Sequence, residues 1–512
     1  MLQTFGKAFN TLFYNYLSRR MGEIDHFLNH PISTQKNILF QLLEKAKKTE
    51  YGQFYDFQSI KSIHDYKNKI PLNKYENLEP FIKKMQLGHK NVLWPNQIKW
   101  FAQSSGTNST VPKQIPITKE NLQNCHYKGG KDLLALYYRE NPSTKLFSGK
   151  HLIAGGSTSL TPYSKKTHVG DLSAIILKHL PWWCEWRRSP SNVKKLITDN
   201  WEEKINHIVT HSIKDDVHIV AGIPSWIVLI LQEIIKKNKV KNIHEIWPNL
   251  ELYLHGGVHI SPYMQKLKEL MPSSKMNFFS NYNATEGFFG IQDKNNSDDM
   301  LLMLDYGIFY EFIKQENWNE ENPKTIDLED VIIGETYELV ISTNSGLWRY
   351  RLGDTVQFTS LLPFRIQIIG RTQQFINTFG EELMMHQAEI AVGTAAKYSN
   401  AHVCEFSVCS KLLSNEKGIG FHEWAIEFYK KPNDLAFFSN QLDNELQKVN
   451  IDYKSKRKES KTISAPKINL VKKGTFYQWM KKHGKLGGQY KVPRLSEKSI
   501  YIDELLKISA SN

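Results

Sequence analysis

The stretch "DVHIVAGIPSWIVLILQEIIKK" (216–237) joins a short apolar run to a longer one through a Gly-Ile-Pro turn. The first run is predicted to be a strand and the second an apolar helix. A second segment, "NLELYLHGGVHISP" (249–262), repeats this plan and leads into the helical pattern "YMQKLKELM". Such alternation predicts an α/β domain with a largely parallel sheet, in which ligands bind at the carboxyl ends of strands.

The pattern differs at the two ends of the chain. Residues 1–100 predict mostly helices with aromatic faces, and "YELVISTNSGLWRYRLGDTVQF" (337–358) predicts two strands around an Asn-Ser-Gly turn. One more strand, "FRIQIIGR" (364–371), is followed by lysine-rich, more polar sequence. We therefore predict a large α/β domain over 1–371 and a smaller α+β domain over 372–512.

The composition of the chain limits the classes of protein to which it can belong. The chain has 512 residues, 40% hydrophobic and 23% charged, which is typical of a folded protein of two or more units. Its formal net charge of +14 favours anionic partners, whether nucleotides, nucleic acid or a membrane surface, without choosing among them. Four cysteines without a CxxC pattern argue against zinc ribbons and thioredoxin-like chemistry and fit a reducing compartment.

Targeting signals are not apparent in the sequence. The N-terminal residues lack the basic start, unbroken apolar run and cleavage site of a signal peptide. The longest apolar run, 226–231, is too short to span a bilayer. These features predict a soluble, cytoplasmic protein.

The first stretch that suggests chemistry is "FAQSSGTNSTVPKQIPIT" (101–118), which sets small polar and glycine residues before a lysine. A flexible loop of this kind binds phosphates through backbone N–H groups and hydroxyls. The residues that would do so are Ser104, Ser105, Gly106, Thr107 and Lys113. An ordinary surface turn explains the stretch equally well. The sequence contains no GxxxxGK[ST], GxGxxG, HExxH or GxSxG pattern.

The second stretch is "FFSNYNATEGFFGIQ" (278–292), in which a strand runs into Tyr282 and a turn carries Thr285 and Glu286. A carboxylate beside glycine at the end of a strand suits Mg²⁺, which prefers oxygen ligands and takes one or two carboxylates besides phosphate oxygens. Tyr282 is placed to stack on a base. The alternative is a surface turn with a solvated glutamate.

The third stretch is "GLWRYRLGDTV" (346–356). Asp354 follows a glycine at the end of a strand that reads as buried. A carboxylate at that place can accept hydrogen bonds from both hydroxyls of a ribose, or it can cap a turn.

In order and spacing these stretches resemble the acyl-adenylate-forming superfamily, which includes luciferase-like and acyl-CoA synthetase-like enzymes. Within it, essentially the whole chain resembles the auxin-responsive acyl acid–amido synthetase family. The matching segments are "SSGTNSTVPKQIP", "YNATEG", "YELVISTNSGLWRYRLGD", "IGRTQQFINTFGEEL" and "GQYKVPRL". The chain departs from the pattern at Thr110, where many relatives carry glycine, and at Gln373, in place of the usual hinge residue.

The resemblance implies a reaction in two half-steps with ATP and Mg²⁺. A carboxylate attacks the α-phosphate of ATP to give an acyl-adenylate and pyrophosphate, and an amine, typically of an amino acid, then takes the acyl group. It also implies that the small domain rotates between the two steps about a hinge near Gly370 and Arg371.

The resemblance further implies a role for each site residue. The loop of Ser104, Ser105, Gly106, Thr107 and Lys113 would hold pyrophosphate. Thr285 would contact the α-phosphate, Glu286 would hold Mg²⁺, and Lys491 would bring a positive charge to the pentavalent phosphorus. The nucleoside would be bound by Tyr282 and the backbone after Gly256 and Gly257 at adenine, and by Asp354 and Arg371 at the ribose.

Three functions remain open at this point. The first is an acid–amino acid ligase, expected to be a monomer that binds neither nucleic acid nor membrane. The second keeps the adenylation step but passes the acyl group to coenzyme A or a carrier thiol. The third is a non-catalytic basic protein that binds nucleic acid or acidic lipid. Trp186 to Arg188 are candidates for binding a substrate carboxylate, but a surface position is favoured for them.

Overall fold

A computed structural model describes residues 19–104, 112–154, 160–180, 182–190, 201–372, 375–412, 420–458, 462–486, 492–497 and 499–511. By their internal contacts the residues form two compact units. The first comprises 1–221, 249–255 and 275–368, and the second comprises 222–248, 256–274 and 369–512. The division into domains 1–371 and 372–512 stays a prediction.

The helices follow the chain in this order: α1 (19–29), α2 (Pro31–Ala46), α3 (Glu50–Phe54), α4 (Ile63–Lys69), α5 (Tyr75–Gln86), α6 (Lys119–Asn121), α7 (Tyr127–Glu140), α8 (Leu172–Lys178), α9 (Trp182–Trp186), α10 (Trp201–His211), α11 (Pro224–Asn238), α12 (Ser261–Leu270), α13 (Met385–Tyr398), α14 (Leu435–Val449), α15 (Ile451–Lys458), α16 (Thr475–Lys482) and α17 (Ile500–Ser511).

The strands are β1 (Trp100–Ser104), β2 (Lys113–Ile117), β3 (Lys150–Ala154), β4 (Leu160–Pro162), β5 (His168–Gly170), β6 (Arg188–Ser189), β7 (Val217–Gly222), β8 (Leu252–His255), β9 (Asn277–Ala284), β10 (Gly287–Ile291), β11 (Met300–Leu302), β12 (Ile308–Lys314), β13 (Thr325–Ile326), β14 (Thr336–Thr343), β15 (Tyr350–Leu361), β16 (Phe364–Arg371), β17 (Phe375–Ile376), β18 (Leu383–Met384), β19 (His402–Leu412), β20 (Gly420–Lys430), β21 (Lys467–Val471) and β22 (Leu495–Ser496).

The main sheet of the first unit has twelve strands in the order β13-β12-β14-β15-β16-β11-β10-β9-β8-β7-β3-β6. The pairs β3–β6, β7–β8 and β8–β9 are parallel, whereas β9–β10, β10–β11, β11–β16, β12–β14 and β14–β15 are antiparallel. The prediction of a largely parallel sheet is therefore right only at one end. Tight hairpins such as β9–β10 force antiparallel pairing, while helical crossovers such as α11 and α12 permit parallel pairing. The mixed α/β class is confirmed.

The second unit is α+β, as predicted. Its long antiparallel pair β19–β20 is flanked by β21 and β22 in the order β21-β20-β19-β22. Both outer strands run parallel to their neighbours. Apolar side chains of the sheet, such as Phe406 and Trp424, share one buried core with side chains of α13 and α14, such as Val392 and Leu442.

A buried ion pair ties the helical N-terminal region to the main sheet of the first unit. Arg349 donates from Nε to both oxygens of Glu311, at 3.2 and 3.1 Å, and from Nη2 at 2.9 Å. Its Nη1 donates to the carbonyl oxygens of Lys67 and Ile70, both at 2.7 Å. The side chains of Arg349 and Glu311 are almost completely buried, so the end of α4 is held by a charge that water does not screen.

No helix in the described parts of the chain has both the length and the apolar character that crossing a bilayer demands. The cytoplasmic location stays a prediction.

Replacing Arg349 by alanine tests this buried pair. We expect Arg349→Ala to lower the free energy of unfolding by about 3–5 kcal/mol, because Glu311 would be left buried without a partner. Lys83→Ala is the control, since Lys83 and Glu79 form an exposed pair at 3.1 Å, and such pairs are worth about 0–1 kcal/mol. Urea titration followed by tryptophan fluorescence measures both, and equal losses would contradict the prediction.

Candidate functional site

Asp354 lies in a β-bulge of β15. Glu338 of β14 pairs with Thr355 of β15, and Val340 of β14 pairs with Arg351 of β15. Two residues along β14 therefore correspond to four residues along β15. Gly353 has a positive φ of 80°, which a side chain would strain. A bulge of this kind changes the direction of the side chain that follows. The sequence "LGD" marked the place, but the bulge itself was not predicted.

A second buried ion pair holds this bulge. Arg351 donates from Nε to Glu338 Oε1 at 3.1 Å and from Nη2 to Glu338 Oε2 at 2.7 Å. Its Nη2 also donates to the carbonyl oxygen of Trp318 at 2.9 Å. Sequence reasoning missed this positioning role. The alternation of arginine with apolar residues in a strand predicted to be buried was the available signal.

Tyr282 and Asp354, taken from two different stretches of sequence, contact one another. The hydroxyl of Tyr282 donates to Asp354 Oδ2 at 2.8 Å, and both side chains are buried. Tyr282 lies on β9, four steps from β15 in the strand order, which in a flat sheet is about 19 Å at the usual spacing. The sheet must therefore curl strongly between β9 and β15. The hydrogen bond orients the carboxylate that was predicted to bind ribose.

Thr285 and Glu286 are the two central residues of the tight turn between β9 and β10, because Ala284 pairs with Gly287. Glu286 is only 6% exposed, so the alternative of a solvated glutamate does not describe it. A Cβ on Gly287 would lie 2.7 Å from Ile308 Cδ1 and 2.9 Å from Phe289 Cε1, so any larger residue there would displace these side chains. The turn thus presents a hydroxyl and a buried carboxylate side by side.

Ser104 and Lys113, the two described residues of the predicted phosphate loop, pair with each other at the ends of β1 and β2. Lys113 Nζ donates to the hydroxyl of Tyr350 at 3.3 Å and lies 5.8 and 5.7 Å from the ring centres of Tyr75 and Tyr350. Sequence reasoning missed both tyrosines, although Tyr350 belongs to the "RYRLGD" stretch. Ser105, Gly106 and Thr107 lie outside the described residues.

The other predicted residues belong to the second unit. Gly256 and Gly257 form the turn between β8 and α12, and Gly257 has a positive φ of 84°. Arg371 is the last residue of β16, and Lys491 lies outside the described residues. Their participation in a nucleotide site stays a prediction.

Arg187 and Arg188 correct the expectation of a surface position. Both side chains are buried, because β6 pairs with β3 in the main sheet. Arg187 donates to the carbonyl oxygen of Gly149 at 3.2 Å, and Arg188 lies 3.2 Å from a carboxylate oxygen of Glu185. Burial lowers the pKa of both guanidinium groups.

The oxygen atoms of the β9–β10 turn fit a magnesium ion better than they fit a softer metal. Among the described residues, no group of three or more histidine, cysteine or acidic side chains is arranged to hold a metal ion. Mg²⁺ needs only one or two carboxylates when phosphate oxygens complete its shell. Glu286, with the Thr285 hydroxyl beside it, meets that requirement.

Curated proteins of similar sequence include plant enzymes. An indole-3-acetic acid-amido synthetase of Arabidopsis thaliana is 23% identical over 92% of this chain and 90% of its own length. A jasmonoyl–L-amino acid synthetase of Nicotiana attenuata is 24% identical over 90% of each chain.

Solved structures share the fold. The GH3.15 acyl acid amido synthetase in complex with 2,4-DB superposes with a TM-score of 0.76 at 19% identity and 93% coverage of both chains. A 2-hydroxyisobutyryl-CoA ligase in the postadenylation state superposes with a TM-score of 0.58 at 12% identity, covering 94% of this chain and 93% of its own.

Family models cover most of the sequence. The GH3 family N-terminal domain matches residues 20–276, the central domain matches 301–371 and the C-terminal domain matches 386–500. The resemblance inferred from the motifs is thereby confirmed, and the chain belongs to the GH3 family.

Proposed function

We propose that this protein is an acyl acid–amido synthetase, an ATP-dependent ligase that joins a carboxylic acid to the amino group of an amino acid. In the first step a carboxylate oxygen attacks the α-phosphorus of ATP, and the bond to pyrophosphate breaks. In the second step the amine nitrogen attacks the acyl carbon, the bond to AMP breaks and the nitrogen loses a proton. Membership of the GH3 family and the names of the curated relatives support this activity.

The observation that carries the proposal is the hydrogen bond from Tyr282 to Asp354. It brings together one residue from the stretch assigned to adenine and one from the stretch assigned to ribose. Because its partner fixes the carboxylate, Asp354 is preorganised to accept from the two ribose hydroxyls without rearrangement. Tyr282 is assigned to the adenine ring.

The phosphate groups are assigned to the hairpin that Ser104 and Lys113 close. Ser104, Ser105, Gly106 and Thr107 supply hydroxyls and backbone N–H groups to pyrophosphate, and Lys113 supplies a positive charge. The tyrosine rings beside Lys113 hold its ammonium group in a defined position.

Glu286 is assigned to Mg²⁺ and Thr285 to the α-phosphate. When bound, Mg²⁺ supplies positive charge that neutralises the phosphate oxygens of ATP. The tight turn places both groups next to each other before the substrate arrives, so little ordering is needed at the moment of reaction. Lys491 is assigned to the charge that develops at the α-phosphorus, Gly256 and Gly257 to adenine, and Arg371 to the ribose.

The amide product is favoured over a thioester because the curated relatives matched along most of this chain are named amido synthetases. The likeness to a CoA ligase extends to the fold only. A monomeric state stays a prediction.

Glu286→Gln tests the metal assignment. With Mg-ATP, a panel of carboxylic acids and a mixture of amino acids, we expect pyrophosphate release to fall by at least about 100-fold, because loss of a group that only supports a metal ligand already costs about 10–100-fold. The Mg²⁺ concentration for half-maximal rate should rise as well. Glu320→Gln, at an exposed position, is the control. An unchanged Mg²⁺ dependence in Glu286→Gln would refute the assignment.

Asp354→Ala tests the ribose assignment. We expect the wild type to prefer ATP to 2′,3′-dideoxy-ATP by at least about 100-fold, since hydrogen bonds to a charged group contribute about 1.5–3 kcal/mol each. Asp354→Ala should bring that ratio close to unity, and Tyr282→Phe should reduce it in part. Tyr310→Phe, which removes a buried hydroxyl bonded to the carbonyl oxygen of Met303 at 3.1 Å, should not change it. A ratio that survives Asp354→Ala would place the ribose elsewhere.

Lys491→Ala tests whether Lys491 acts in the first step and not in the second. We expect it to abolish pyrophosphate release while amide formation from supplied acyl-adenylate stays largely intact, because the lysine charge acts on phosphorus only in the first step. Single-turnover assays of each half-reaction make the comparison. Equal loss of both steps would rule the assignment out.

A further inference from the structure

Arg494 lies buried among side chains from three elements of the second unit. Its Nε donates to Glu405 Oε1 of β19 at 2.8 Å, its Nη1 binds Glu389 of α13, and its Nη2 donates to the hydroxyl of Tyr263 of α12. Tyr263 in turn donates to Glu405 Oε2 at 3.1 Å. Burial lowers the pKa of Arg494, but the nearby carboxylates outweigh it and raise that pKa above its ordinary value. The guanidinium therefore stays charged at the centre of the cluster.

One side of this cluster leads to the Gly256-Gly257 turn. Glu389 Oε1 accepts from the backbone N–H of His259 at 3.4 Å, and His259 Nδ1 accepts from the N–H of Ser261 at 3.3 Å. α12 lies so close to α13 that a Cβ on Gly393 would be 2.8 Å from Ser261 Cβ. The residues that directly follow the turn are thus fixed to α13 and, through Tyr263, to Arg494.

The other side of the cluster is the backbone of Arg494 itself. Its carbonyl oxygen accepts from the N–H of Val408 at 2.7 Å, and the carbonyl oxygen of Pro493 accepts from the hydroxyl of Ser407 at 2.7 Å. The next two residues form β22, parallel to β19. Residue 492, the first described residue of this segment, directly follows Lys491 in the chain.

We propose that Arg494 is a positioning residue that sets the Gly256-Gly257 turn for adenine, through Tyr263 and Glu389, and at the same time anchors the chain that follows Lys491. This inference rests on the proposed function, which assigns the turn to adenine and Lys491 to the α-phosphorus. A guanidinium suits the task because its planar fork of donors serves several acceptors in fixed directions, whereas the compact ammonium group of lysine cannot.

Two substitutions separate this role from simple support of the fold. Arg494→Lys keeps the charge and loses the fork, and Tyr263→Phe removes only the hydroxyl. The second unit offers a matched control cluster, in which Tyr453 donates to Asp443 Oδ1 at 2.8 Å and Arg457 Nε donates to the same oxygen at 2.8 Å. Tyr453→Phe and Arg457→Lys make the same chemical changes among residues 443–457, away from the Gly256-Gly257 turn in sequence.

The measurements are the Kd for ATP by calorimetry, the KM for ATP in pyrophosphate release, and the Tm. For Arg494→Lys we expect Kd and KM to rise about tenfold, and for Tyr263→Phe about two- to tenfold, the range for a lost hydrogen bond. Tyr453→Phe and Arg457→Lys should leave both constants within twofold of the wild type, even where their Tm falls as much as the Tm of Arg494→Lys or Tyr263→Phe. Tyr263→Phe carries the test alone if Arg494→Lys does not fold.

Wild-type affinity for ATP in both Arg494→Lys and Tyr263→Phe would overturn the positioning role. The positioning role would also be overturned if Tyr453→Phe and Arg457→Lys lost as much affinity for ATP as Tyr263→Phe and Arg494→Lys. The loss of affinity would then follow from lower stability alone. Wild-type protein that neither binds ATP nor releases pyrophosphate would instead overturn the proposed function, so the two failures are distinguishable.

Discussion

Arg351 of β15 binds Glu338 of the neighbouring strand β14, and Arg349, directly before β15, binds Glu311 of β12 inside the main sheet of the first unit. A slip of β15 by one residue would turn the Arg351 guanidinium to the opposite face and leave Arg351 and Glu338 buried without partners. The Arg351–Glu338 pair therefore fixes the register of β15 more than it adds stability. With the register fixed, the extra residues around Gly353 can be accommodated only as a bulge. Asp354 then reaches the hydroxyl of Tyr282, and the candidate site depends on that contact.

In the second unit, arginine–carboxylate clusters also hold distant segments of the chain in place. Arg494 joins two helices and a strand through Glu389, Glu405 and Tyr263, and Arg457 joins α15 to α14 through Asp443. In each case a planar group with several donors binds segments that are distant in the chain. Removing the guanidinium would leave carboxylates uncompensated in the interior, which costs more than the pair contributes. Such clusters stabilise one arrangement of the segments that they join and disfavour other arrangements close to it.

Local features of this chain were predictable from sequence because local spacing and turn chemistry determine them. The strand and helix of 216–237, the hairpin of 337–358 and the turn at Thr285 and Glu286 are examples. Contacts that depend on the course of the whole sheet were not predictable. The curl that joins Tyr282 to Asp354, the tyrosines around Lys113 and the burial of Arg187 and Arg188 all arise from elements far apart in sequence. The motifs could name the residue types of the site but not their partners.

The surroundings of Glu286 also bear on the proposal that it binds Mg²⁺. Two residues further on, the N–H of Phe288 donates to Cys125 Sγ at 3.1 Å, so a sulfur atom lies close to the hairpin in space. A thiolate there would recruit soft metals, since only the deprotonated sulfur is a good ligand. Burial raises the pKa of Cys125 to about 12, and the group therefore stays a neutral thiol. Among the described residues, the turn then offers oxygen ligands from Thr285 and Glu286, which favour the proposed hard ion that completes its shell with phosphate oxygens.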